Sequence, residues 1–325
     1  MNPEPIFETL LAYRKAGVLR AAIELGCFGA LARGKSTPRR IAAACGGTER
    51  SVRLLLDALA SGVPAVLRKR AGRYALTPLS RRFLVPGKPG YVGPLLPLYG
   101  HRRMWDAFYD LPAAVRAGTS VAPSDAHTPG QPFWEDFARA TAKDAAARAR
   151  AMLRALGKLP EGAEVLDLAC GSGAYGATFA RSIPGARATL LDQKHVLRVA
   201  RKLARGRVRF LEGDLWKTSF GGPYDVVIAS HVFHHFDPRE CARLARKIAA
   251  ALKPGGSLVV QEFVPDEARA RKAQPLMFGV TMLVWTRAGD AYRASDYRSW
   301  FAAAGLRRFR HLPLEMPGDL LLASK

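Results

Sequence analysis

The chain of 325 residues has no apolar stretch of about 18 residues or more, so no helical membrane span is expected. Its four cysteines, Cys27, Cys45, Cys170 and Cys241, are scattered and contain no CxxC pair. That argues against a zinc ribbon or a disulfide framework and fits thiols kept reduced. The opening stretch MNPEPIFETLLAYRK lacks the basic start and apolar centre of a secretory signal, so a cytoplasmic location is expected. Acidic residues are scarce: 27 Asp and Glu face 50 Lys and Arg, for a net charge of +23. Such an excess invites a nucleic-acid or anionic-lipid partner. Long runs of basic residues are absent, however, and the densest clusters are Arg68-Lys69-Arg70 and Arg39-Arg40. Arginine spread over solvated helix faces accounts for the charge, and no nucleic-acid partner is expected. Internal repeats and low-complexity segments are also missing. What is present is 49% hydrophobic residues, enough for a sizeable core, at a length of one large or two ordinary domains.

Residues 1–85 read as helices followed by a small hairpin. Helical periodicity runs from Pro5 to Leu31, and Thr37 starts a short helix that stops at Gly46-Gly47. Thr48 is an N-cap for ERSVRLLLDALAS, which places Val52, Leu55, Leu56 and Leu59 on one face. VLRKRAGRYALT then reads as strand, glycine turn, strand. The set forms a winged helix, which has two readings. Arg50 and Arg53 would contact bases and Arg68 to Arg73 phosphates in a DNA-binding module; in a protein–protein module the same arginines are merely solvated. Residues 86–150 read as a helical connector that supplies pocket walls, with a helix in HRRMWDAFYDLPAAV and a long Ala-rich helix from Phe133. Residues 151–325 alternate strands (EVLDL, RATLLD, VRFLEGD, DVVIAS, SLVVQEF) with helical segments. That alternation predicts an α/β, Rossmann-like, mostly parallel sheet with helices on both faces. Two final strands joined by a Pro-Gly turn close the chain.

EVLDL leads through ACGSGAYG into a helix. Glycines let the backbone turn sharply and approach a ligand, and a helix N-terminus offers free N–H groups to a carboxylate or phosphate. Gly171 and Gly173 alone would suit NAD as well. The acids decide against it. Asp167, inside the strand end, would repel a pyrophosphate but accept an ammonium. Asp192 ends the next strand at ribose-binding spacing, and Asp214 ends the third, where it can accept from an adenine amino group. A single such Asp could be a helix cap; the set matches a nucleoside with a cationic tail.

The segments VLDLACGSGAYG, LLDQ, LEGDLW and LKPGG before SLVVQEF resemble those of class I methyltransferases that use S-adenosylmethionine (SAM). With the winged helix in front, nearly the whole chain resembles the small-molecule O-methyltransferase family. The resemblance implies a seven-stranded sheet, a homodimer made through the winged-helix domain, a small-molecule substrate, and SAM held by Asp167, Gly171, Gly173, Asp192, Gln193, Asp214, Leu215 and Ser230. It also implies that His234 is the general base, in the place of the family's His-Asp-Trp histidine, and that Glu262 orients it. His235 and Phe236 replace the family's Asp and Trp, Tyr292 falls where a second orienting Glu is usual, and Ser230 where plant members carry Lys.

A hydroxyl attacks a sulfonium methyl poorly while protonated, so a histidine within reach of its proton helps. His231, His234 and His235 have a spacing that could also share one helical face, but no third ligand is evident in the sequence and no metal is expected. The pocket is expected to be lined by Trp105, Phe133, Phe137, Met282, Trp285, His235 and Tyr292, joined by Phe108, Tyr109, Trp134, Met277 and Phe278. The leading expectation is transfer of a methyl group to an aromatic or enolic hydroxyl. A C- or N-methyltransferase of the same architecture is the alternative, and a winged-helix DNA-binding regulator that senses SAM is the third reading.

Overall fold

The computed structural model describes residues 2–62, 65–128, 130–314 and 318–325. The chain divides into two units, Met1–Gly100 and His101–Lys325, so the span read as a connector is shared between them. In the first unit the long helical pattern is three helices, Glu4–Leu10, Ala12–Glu24 and Cys27–Ala32, with Gly26 left-handed before the third. Helix Pro38–Cys45 begins at Thr37, whose hydroxyl accepts the Arg40 N–H, and Glu49–Ser61 begins at Thr48, which accepts from Ser51. Strands β1 (Leu67–Arg70) and β2 (Arg73–Leu76) pair antiparallel about Ala71-Gly72. Leu67, Tyr74 and Leu76 pack with Phe28, Ile41, Val52 and Leu56.

This is the winged-helix order. Two residues that a DNA reading would recruit are already engaged: Arg53 lies 3.0 Å from Asp57, and Lys69 bonds the same carboxylate. Hydrogen bonds from Lys69 and Tyr74 pull the Asp57 carboxyl down to about 2. All four cysteines are free, although Cys27 and Cys45, distant in sequence, have sulfurs 3.7 Å apart.

The second unit holds a seven-stranded sheet. Its strands are β3 (Glu164–Leu168), β4 (Arg187–Asp192), β5 (Val208–Glu212), β6 (Tyr224–Ser230), β7 (Leu252–Glu262), β8 (Arg307–Leu312) and β9 (Asp319–Ser324). They lie in the order β5-β4-β3-β6-β7-β9-β8. The first five run parallel, and β9 is antiparallel to both β7 and β8. The chain builds outward from β3 to β5 and then returns to β6 on the other side of β3. That reversal opens a crevice at the carboxyl ends of the strands, where such sheets bind ligands.

Each sheet face carries a core. Phe179, Leu190, Val226 and Val259 pack with Ala145, Ala149 and Met152 of helix Phe133–Leu156 on one side. Leu166, Val227, Leu258, Ile248 and Phe301 fill the other. A side chain such as Phe179 or Leu166, fully buried, contributes about 1.5–3 kcal/mol. The stretch read as one helix through HRRMWDAFYDLPAAV is two, Arg102–Tyr109 and Leu111–Ala117, separated at Asp110. Pro112 has no N–H to continue the first helix but suits the opening turn of the second. The expected terminal turn includes Pro317, which lies outside the described residues.

Candidate functional site

The loop after β3 turns through Ala169, Gly171 and Gly173, all with positive φ, before helix Ala174–Ser182. A side chain at Gly173 would place its Cβ 2.8 Å from Leu190 Cδ1 and 3.1 Å from Ala204, closer than packed atoms sit. Only glycine lets the loop lie this close to β4.

Two acids hold the loop. Asp192 accepts the Gly171 N–H at 2.8 Å and the Gln193 N–H at 2.7 Å. Asp167, 1% exposed, accepts the Gly176 N–H at 2.8 Å, so it ties the first turn of the helix after the loop to the strand rather than standing open to a ligand. Burial pushes the Asp167 carboxyl up to about 8 and the Asp192 carboxyl up to about 6, against the pull of these amides. Asp214 is exposed and accepts from Trp216 and Lys217 at 2.7 and 3.1 Å, a turn of its own, with Leu215 half-buried beside it. The three acids nevertheless stand at the carboxyl ends of three adjacent strands, β3, β4 and β5, as expected.

At the end of β6, Ser230 shares Gln261 with Tyr175, whose hydroxyl donates to Gln261 Oε1 at 2.8 Å. The chain then turns through His231, which has a left-handed φ of 56°, into a single 3₁₀ turn, Phe233–His235. The histidines therefore do not share a helical face. His234 Nδ1 lies 2.6 Å from Glu262 Oε2, and both side chains are almost wholly buried. Burial raises the Glu262 carboxyl, but His234 and His231 more than offset it and hold the group well below the usual range. His231 Nδ1 is 3.7 Å from the same oxygen, beyond hydrogen-bond reach. Glu262 is thus the third donor that the sequence did not reveal beside His231 and His234. The capping box Asp237/Glu240, with Pro238 at the first turn, fixes the chain as it leaves this turn.

His235 packs beside His234, with ring centroids 4.3 Å apart, and takes no part in the pairing with Glu262. Its ring meets Trp134 at 5.4 Å and His127 at 6.0 Å, and burial drives both imidazoles toward their neutral forms. His127 was missed because it arrives on an aperiodic Pro- and Gly-rich loop; Gln261, Tyr175 and Phe263 were missed as ordinary strand and helix residues.

Of the expected pocket residues, Phe133, Trp134, Phe137 and Trp285 form one aromatic cluster with centroids 5.2–6.1 Å apart. Phe278 stands edge-on to His234 at 4.8 Å and packs on Phe263 at 4.2 Å. Met282 is buried, and Trp105 and Phe108 are half-buried. Tyr109 and Met277, 87% and 59% exposed, are not pocket walls, because they fall on the solvent sides of their helices. Tyr292 is buried and donates to the Phe236 carbonyl at 2.6 Å, bracing the turn that carries His234.

Residues 109–307 match the model of the O-methyltransferase domain, and residues 7–86 that of the O-methyltransferase dimerisation domain. The chain is 28% identical to a 3-hydroxy-5-methyl-1-naphthoate 3-O-methyltransferase from Streptomyces sahachiroi, over 94% of this chain and 89% of the other. A candidate O-methyltransferase from Nostoc punctiforme has a solved structure that superposes with a TM-score of 0.94 at 30% identity, covering 100% of both chains. Human N-acetylserotonin methyltransferase, solved in complex with SAM, superposes with a TM-score of 0.85 at 25% identity, over 99% of this chain and 97% of that one.

Proposed function

The chain belongs to the O-methyltransferase family, and on that premise we propose that it methylates a hydroxyl of a flat, apolar small molecule, with His234 as the base. It is a SAM-dependent methyltransferase. The observation that carries the finer reading is the buried His234–Glu262 pair, 2.6 Å apart at the crevice edge.

The residues at the crevice fit SAM. The glycine loop leaves room for backbone approach, Asp192 would take the ribose hydroxyls, and Asp214 with Leu215 and Gln193 the adenosine edge. The start of helix Ala174–Ser182, which Asp167 anchors to β3 from behind, and Ser230 would take the methionine end. SAM supplies an electrophilic methyl group. For the acceptor, Glu262 accepts the Nδ1–H of His234, which fixes the tautomer that leaves Nε2 free. Nε2 then takes the hydroxyl proton as the oxygen becomes nucleophilic, and the carboxylate stabilises the imidazolium formed. Neutral His235 and His127 and the rings of Phe133, Trp134, Phe137, Phe278 and Trp285 make a surface suited to an aromatic acceptor. Incubation with SAM and a panel of phenols, hydroxyquinones and aromatic polyketides, read by mass spectrometry, should show a gain of one methyl group. Turnover of none of these classes would sink the proposal.

Gly289 backs this machinery. A Cβ there would fall 2.1 Å from the His234 carbonyl oxygen, a backbone atom that cannot swing aside. Gly289→Ala should move His234 and lower kcat by about 10²-fold, the scale of a misplacement of about 1 Å. SAM affinity by calorimetry should hold; an unchanged kcat would show that the turn tolerates the shift.

Homodimer formation through residues 7–86 is also part of the proposal. Helix Glu4–Leu10 buries none of its residues and leaves Ile6, Phe7 and Leu10 at least half exposed, an apolar face that suits a partner copy. Sedimentation should give a dimer, and Phe7→Glu should shift it toward monomer.

A further inference from the structure

We infer that His231, His234 and Glu262 form a binding site for zinc or a similar borderline divalent cation, and that occupancy switches methyl transfer off. The donor atoms of the three residues all lie within 4.8 Å of one another. Two imidazoles and one carboxylate are a donor set that zinc accepts and that magnesium and calcium do not favour. Bonds of about 2.0–2.1 Å in a tetrahedral site put neighbouring ligand atoms roughly 3.4 Å apart. His231 Nδ1 and Glu262 Oε2, at 3.7 Å, already stand near that separation, and His234 Nδ1 must draw back from its 2.6 Å.

His231 itself is poised for a ligand. Its Nδ1 is buried with no hydrogen-bond partner among the described residues, and it points at the carboxylate. Its backbone sits at a φ of 56°, a conformation that costs a non-glycine residue energy and that gathers at functional sites. The His231 N–H donates to the Gln261 carbonyl at 2.8 Å, which holds that conformation in place. A buried nitrogen lone pair or N–H without a partner is a cost that a ligand removes.

The consequence follows from tautomers and rests on His234 being the base. In the metal-free protein the one ring proton of neutral His234 is on Nδ1, bonded to Glu262, and Nε2 carries the free lone pair. When Nδ1 gives its lone pair to zinc, that proton moves to Nε2. No proton is lost from the ring overall, Glu262 remains a carboxylate, and Nε2 becomes a donor that cannot take a hydroxyl proton.

The test uses the full chain stripped of metal by a chelator. Cobalt(II), which reports four-coordinate nitrogen and oxygen ligation by its visible bands, should bind one per chain and be displaced by zinc. Zinc should abolish methyl transfer, chelator should restore it, SAM binding should persist, and magnesium should do nothing. His231→Asn should keep methyl transfer but weaken zinc inhibition and cobalt binding by at least about 100-fold, as befits loss of a ligand. No cobalt bands, or the same bands and inhibition in His231→Asn, would overturn the site while leaving the base reading untouched. Cobalt and zinc bound through His231 with methyl transfer intact would overturn the switch and count against His234 as the base.

Discussion

His234→Ala should lower kcat by about 10²–10⁴-fold, the usual contribution of a positioned general base, while SAM still binds. The loss has a structural side that must be separated from the chemical one. Glu262 is 1% exposed and sits at the end of a central strand. Removing its imidazole partner leaves the buried carboxylate with the His234 backbone N–H at 3.4 Å and the His231 ring at 3.7 Å, and the lost hydrogen bond costs about 1–3 kcal/mol. His234→Ala should therefore also melt earlier. His234→Asn is the cleaner variant, because an amide N–H can still donate to Glu262 but the side chain cannot take a proton near neutral pH. It should recover much of the lost stability and little of the lost turnover. Parallel thermal melts, SAM calorimetry and initial rates decide the matter: stability and turnover recovered together would make His234 a structural residue.

Asp192→Ala should weaken SAM binding by about 10²-fold, since hydrogen bonds to a charged group are worth about 1.5–3 kcal/mol each. Two losses combine. The variant gives up its proposed ribose contact and also the carboxylate that gathers the Gly171 and Gln193 amides. A pH dependence follows from the same group, because burial pushes its carboxyl up to about 6. The ribose hydroxyls need the ionised form as an acceptor. The Asp192 contact is complete while its carboxyl is ionised, and SAM affinity should fall by about tenfold per unit as pH drops below about 6. Asp192→Asn should be weak at all pH values and lack that slope. Calorimetry across pH that finds no slope in the unsubstituted protein would move the ribose to another residue.

The sheet was legible in the sequence because its central strands are buried on both faces. EVLDL and RATLLD have no other place to be than inside, and β3 and β4 begin and end with them. The long helix was legible for a related reason: Ala138, Ala145 and Ala149 recur at helical spacing and all face inward. The loop acids were found, but not the use the fold makes of them. Asp167 and Asp214 each spend oxygen atoms on backbone amides, which depends on loop geometry rather than on residue type. His127 and Gln261 reach the histidines from a loop and from a neighbouring strand. No spacing rule links them to residues some 100 and 30 positions away, because only the folded sheet brings them together. The third donor beside His231 and His234 was hidden for the same reason. Tyr109 and Met277 show the reverse error, in which aromatic or sulfur content suggested a wall and helix phase turned the side chain outward.

The central claim is that His234, held by Glu262, removes a proton from an acceptor oxygen. Its most direct test is the rate of methyl transfer to a phenol acceptor and to the aniline of the same skeleton, in the unsubstituted protein and in His234→Asn. The account predicts methylation of the phenol by the unsubstituted protein and its loss by at least about 10²-fold in the variant. A phenol rate that survives in His234→Asn, or a preference for the aniline, would contradict it.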